Sequence, residues 1–160
     1  PPRSTLSSSS AASDVYKRQS YVCATIGSYI AMLSGLSFLG VGLTPADLYF
    51  HEHVFFVIVG FRSMVPAMVF LTLAFFFSPV SNKYTVASVL FLLSITLYAF
   101  FETSDPPDVS PRENLELFKE SVSYNRMVIS VIAQKVITLI SFVSFFVFTY
   151  GFYQLSLLKK

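Results

Sequence analysis

The feature that most constrains this chain is a long stretch without charge. Residues 20–43 contain no Asp, Glu, Lys or Arg. An apolar run of about 20 residues crosses the roughly 30 Å hydrocarbon layer of a bilayer as a helix. Three further stretches are almost as apolar: 84–101 has no charge, 54–78 carries only Arg62, and 127–153 only Lys135. Inside lipid every backbone N–H and C=O must be satisfied internally, and runs of this length without strand alternation do so as helices. The expected fold class is therefore all-α, a polytopic transmembrane helix bundle with four spans in residues 20–160. The composition agrees. Charged residues make up 12% and mean hydropathy is +0.64, whereas an ordinary soluble domain is about 25% charged. Too few charges exist to cover a water-facing surface.

Residues 1–19 differ from everything after them. They read PPRSTLSSSSAASDVYKRQ, Ser-rich and without the apolar centre of a signal peptide. Asp14 to Gln19 is what GAT-GTG-TAT-AAG-AGA-CAG encodes, the end left by transposase-based library preparation, and Ser9 to Ser13 fits the adapter upstream in the same frame. Residues 1–19 are accordingly expected to be a non-native, disordered leader. The native chain is expected to begin upstream of Ser20. Setting aside Arg3, Asp14, Lys17 and Arg18 leaves equal numbers of acidic and basic residues. The pI of about 8.8 then gives no reason to expect nucleic acid as a partner.

Local signals bound the spans. Gly27, Ala31 and Gly35 fall four apart on the first, a spacing of small residues that lets another helix approach closely. Gly40, Gly42 and Pro45 end that helix, and Ser78-Pro79 ends the second. Pro66 lies within the second, removes the backbone donor to Arg62 and predicts a kink. A polar loop, 102–126, separates the third and fourth. Within it Ser110-Pro111-Arg112-Glu113 has the form of a helix start, and Leu115, Phe118 and Val122 follow at helical spacing. This predicts a short amphipathic helix on the membrane surface or in solvent.

Alternating spans put 44–53 and 102–126 on one side, with all the acids that remain after the leader. Lys83, Lys159 and Lys160 fall on the other side without an acid. Lys and Arg near span ends favour the cytoplasm, so the C-terminus is expected there.

Arg62 is nine residues beyond His53, and Lys135 is nine beyond Arg126. Both cations are then about 13 Å deep from the acidic side. Ionised groups at such depth face a bundle interior or a polar cavity, or snorkel to the interface. No carboxylate lies in any of the four stretches. Asp47, His51, Glu52 and His53 cluster at the mouth of the second span, and Gln134 precedes Lys135. Asp47, His51, His53, Arg62, Gln134 and Lys135 are thus the candidate binding residues of a polar, anion-tolerant intramembrane site, with snorkelling cations and a structural ion pair as the bland alternative. No metal, haem or other cofactor is expected. His51-x-His53 sets the two rings about 200° apart on a helix, and Cys23 is the sole cysteine. No Gly-rich phosphate loop, G-x-S-x-G or H-E-x-x-H occurs.

Gly40-Val41-Gly42-Leu43-Thr44-Pro45-Ala46-Asp47, followed by Phe50-His51-Glu52-His53-Val54-Phe55-Phe56-Val57 at a helix start, resembles the Frag/DRAM/Sfk group of six-helix membrane proteins. That group includes the N-terminal domain of a fungal cell-wall-biogenesis protein and bacterial relatives of unknown function. The likeness covers most of residues 20–160, with Gln134-Lys135 as a polar pair in the last span. It implies two further N-terminal helices, as partners within the same protein, and a role in lipid remodelling, autophagy or phospholipid organisation. Lys135 stands where the lipid-remodelling members would carry an acid, a departure from their pattern.

Three functions are therefore expected in turn: lipid handling or membrane organisation with membrane lipids as partners; a membrane-embedded enzyme acting on lipid head groups, with His51 or His53 carrying the proton; and a transporter or channel subunit drawing anions with Arg62 and Lys135.

Overall fold

A computed structural model describes residues 6–101, 109, 112–121 and 124–157. Among these, every regular element is helical: α1 (Leu6–Leu43), α2 (Phe50–Phe76), α3 (Asn82–Phe101), α4 (Leu115–Ser121) and α5 (Tyr124–Leu157). Four of them are long and apolar enough to cross a membrane, over Asp14–Leu43, Phe50–Phe76, Asn82–Phe100 and Ile129–Gln154. The all-α fold and the four spans match the sequence reading to within a few residues at most ends. The exception is the start of α1, which runs back without a break to Leu6. A disordered leader was the expectation there. No Gly or Pro interrupts 6–19, so nothing local stops the helix once the span has formed.

The contacts show an up-down-up-down arrangement. Ser20 meets Ala74 and Ser34 meets Gly60, so α1 runs antiparallel to α2. Phe61 packs on Tyr98 and Phe75 on Tyr84, so α2 is antiparallel to α3. Phe91 packs on Phe148, and Gly151 lies against Tyr84, so α5 returns along α3. The extensive packing is α1 on α2, α2 on α3 and α3 on α5, in chain order. The central α3 is the most enclosed span, 33% buried, and the outlying α5 the least, 11%. Elsewhere the surface is apolar. Met32, Leu36 and Leu39 on α1 and Leu139, Phe142 and Phe146 on α5 are exposed. A water-soluble monomer does not display such continuous apolar faces, whereas hydrocarbon solvates them without cost.

Lipid supplies no hydrophobic force between helices, so close packing and hydrogen bonds must hold them. On α2 two rows of buried residues recur every seven positions: Gly60, Ala67, Ala74 and Phe61, Met68, Phe75. The small row receives α1, and the large row fills the space toward α3. On α1 the matching positions are Ser20, Gly27 and Ser34, also seven apart. Ser20 and Ser34 donate to the Ala74 and Gly60 carbonyls at 2.8 and 2.7 Å. A Cβ on Gly27 would come within 3.1 Å of the Ala67 carbonyl oxygen. The predicted Gly27–Ala31–Gly35 face is therefore only partly used, because nothing lies within 4 Å of a Cβ built on Gly35. Steps of four drift about 40° round a helix, and steps of seven only about 20°, so the seven-residue row stays in contact along two nearly antiparallel helices.

At one end of the bundle, Phe75 is a hub. Its ring lies 6.0 Å from Tyr84, 5.8 Å from Phe148 and 4.7 Å from Phe152. Gly151 makes this possible, since a Cβ there would sit 2.9 Å from Tyr84 and 3.0 Å from Phe75. At the other end the Phe50 ring meets Phe118 of α4, 6.0 Å apart and edge-on. That contact places the α1–α2 connection and α4 on one side, as the alternation of spans required. The helix start foreseen at Ser110 moves to Asn114. Its Oδ1 accepts from the Leu117 N–H at 3.1 Å, an N-cap for α4, and Arg112 and Glu113 form a turn before it. Ser110, Pro111 and Val122 lie outside the described residues. Pro66 sits within α2, which continues as helix on both sides of it.

Candidate polar site

The site proposed from sequence is distributed over the start of α2, its middle, and the first third of α5. α2 begins at Phe50, so Arg62 is farther in than counting from His53 implies. It stands at the middle of α2, about 18 Å from the first residue. Phe61 beside it is buried at 2% exposure, packed between Phe38 and Tyr98. One step round the helix, Arg62 emerges exposed. It is about 200° from Gly60, on the side of α2 away from α1.

Lys135 is also exposed, and Gln134 is half-buried. The Gln134 carbonyl accepts from the Thr138 hydroxyl at 2.7 Å. The depth of the two cations can be compared through Phe75, whose α5 neighbours are Phe148 and Phe152. Carrying that offset along the parallel pair sets Arg62 level with residues from about 135 to about 139. The cations share a level, on helices that α3 separates over most of their length.

The mouth residues do not converge on one point. Asp47 and His51 are exposed, with the His51 ring edge-on to Phe50 at 5.6 Å. His53 is half-buried and turns back to the end of α1, where Nδ1 lies 2.6 Å from the Thr44 carbonyl oxygen. A carbonyl only accepts, so Nδ1 carries the hydrogen, the tautomer that in a neutral ring leaves the lone pair on Nε2. His53 thereby ties the connection between α1 and α2 and has a fixed tautomer.

A second polar cluster, missed in the sequence, lies at the opposite end. Ser81, Lys83, Tyr150 and Gln154, with Pro79, Val80 and Tyr84, line an open cavity of about 260 Å³. Its sequence signal is slight. Lys83 is the one charge between the second and third spans, and Tyr150 and Gln154 are four apart near the end of the fourth. Only packing of α5 beside the α2–α3 connection brings them together.

No family model, no curated protein and no solved structure matches the chain.

Proposed function

We propose that this multi-pass membrane protein handles anionic lipid, with Arg62 and Lys135 as the groups that answer a phosphate-bearing head group, and that it is of the Frag/DRAM/Sfk type. The observation that carries this reading is a guanidinium at the middle of α2, level with a lysine on α5, in a set of apolar stretches that contain no carboxylate. The membrane-embedded charge is thus positive. An ionised group at that depth is expensive, and an anion drawn from the bilayer offsets the cost. His51 at the mouth and Gln134 beside Lys135 would add polar contacts from the side of α4. Further helices of the same protein would cover α1 and α5, and the C-terminus would face the cytoplasm.

Mass spectrometry of lipid co-purified with the protein tests the proposal. Wild type should carry anionic phospholipid in preference to zwitterionic lipid. Arg62→Leu and Lys135→Leu should each lower that share severalfold. Folded variants that retain the wild-type lipid profile would refute it.

A second reading, a membrane-embedded enzyme on lipid head groups, draws on His53, whose fixed tautomer leaves Nε2 as an acceptor suited to a general base. It predicts that His53→Gln abolishes head-group hydrolysis while bound lipid is unchanged. Lipid handling without catalysis predicts no hydrolysis in either protein.

A further inference from the structure

The cavity at the end of the bundle opposite the α1–α2 connection has a chemical character of its own. It lies where α2 has ended at Phe76 and α3 begins at Asn82, beside the last turns of α5. In a bilayer this is the head-group level, where tyrosines and lysines concentrate. Its volume of about 260 Å³ equals roughly nine water molecules at about 30 Å³ each, enough for a phosphate ester and a small alcohol.

Its donors are oriented. The Lys83 ammonium sits over the Tyr84 ring, 5.1 Å from the centroid, and among the described residues no carboxylate pairs with it. Tyr84 is 4% exposed and packed against Phe75, so its ring holds the Lys83 ammonium at the cavity rim. The Tyr150 hydroxyl accepts from Gln154 Nε2 at 2.9 Å, which leaves its own hydrogen to donate. The Gln154 carbonyl oxygen remains to accept a hydroxyl. The Ser81 hydroxyl has no hydrogen-bond partner among the described residues. None of the lining residues is acidic. Asp14, brought to this end by the stacking of Tyr16 on Phe77, is 3.9 Å from Lys17.

We infer that this cavity is a second lipid site, for a phosphate diester bearing a hydroxylated head group. Lys83, Tyr150 and Ser81 bind the phosphate, and Gln154 accepts from the head-group hydroxyl. The inference does not rest on Arg62 or Lys135.

The test is a titration of the full chain in zwitterionic detergent with phosphatidylglycerol or phosphatidylcholine, followed by native mass spectrometry. Wild type should prefer phosphatidylglycerol. Lys83→Gln should weaken that binding about tenfold, the scale of one charge-assisted contact, and Tyr150→Phe should weaken it less. Lys83→Arg should restore it. Inorganic phosphate added to wild type separates the sources. Displacement of the lipid assigns the site to phosphate of either origin, and lack of displacement assigns it to the lipid. Arg62→Leu should leave the Lys83-dependent part unchanged, so the two sites fail separately. A Lys83→Gln protein with wild-type thermal stability and wild-type phosphatidylglycerol binding would overturn the inference. So would equal binding of both lipids by wild type.

Discussion

Ser34 donates its hydroxyl to the carbonyl of Gly60 across the α1–α2 seam at 2.7 Å, and Ser34 is only 2% exposed. The same carbonyl also accepts from Ser63 at 3.1 Å on its own helix. The seam is held by shape first and by this bond second. Ser34→Ala should therefore lower stability by only about 0.5–1 kcal/mol, the scale of interhelical hydrogen bonds in membranes. Thermal unfolding in detergent measures it.

Gly27 and Gly35 should respond oppositely. A side chain at Gly27 meets the Ala67 backbone oxygen, which cannot move aside without shifting α2. Gly27→Val should cost about 1–3 kcal/mol as overpacking. Gly35 opens on free space, so Gly35→Ala should be neutral or stabilise α1 by about 0.5–1 kcal/mol. A shared loss of melting temperature would argue that both glycines line a helix contact.

Phe75 and Phe76 are adjacent and differ in burial, 2% against 67% exposed. Phe75→Ala removes the ring that α3 and α5 both use and should cost about 3–5 kcal/mol. Phe76→Ala removes a lipid-facing ring and should change stability by less than about 0.5 kcal/mol. Melting of the two variants side by side distinguishes an internal hub from general apolar content.

Thr72 has a buried hydroxyl with no hydrogen-bond partner among the described residues. Replacing an unsatisfied hydroxyl by a methyl of similar shape removes a desolvation penalty. Thr72→Val should raise stability by about 1 kcal/mol, read as a higher melting temperature in detergent.

The spans were legible because an apolar run with at most one charge, long enough to cross lipid, has few other uses. The pairing of the spans was not. Reading by steps of four selected Gly27, Ala31 and Gly35, and passed over Ser20 and Ser34, whose polar side chains do not mark them as interface residues. Their role follows from Gly60 and Ala74 on another helix, which a single apolar pattern does not relate to them. The start of α4 went to Ser110-Pro111 because hydroxyl, proline and acid fit a cap in sequence, whereas Asn114 makes the hydrogen bond. The depth of Arg62 came from counting along one helix. The Lys83 cavity depends on Tyr150 and Gln154, some seventy residues away, and no local spacing shows it.

The central claim is that four helices cross the membrane alternately, with the α1–α2 connection and α4 on one face and the α2–α3 connection on the other. With Cys23 replaced by Ala, single cysteines at Leu48, Glu116 and Asn82 can be treated with an impermeant maleimide on sealed vesicles of defined orientation. Leu48→Cys and Glu116→Cys should label from the same face, and Asn82→Cys only from the opposite face. Labelling of Leu48→Cys and Asn82→Cys from one face in intact vesicles would contradict the account.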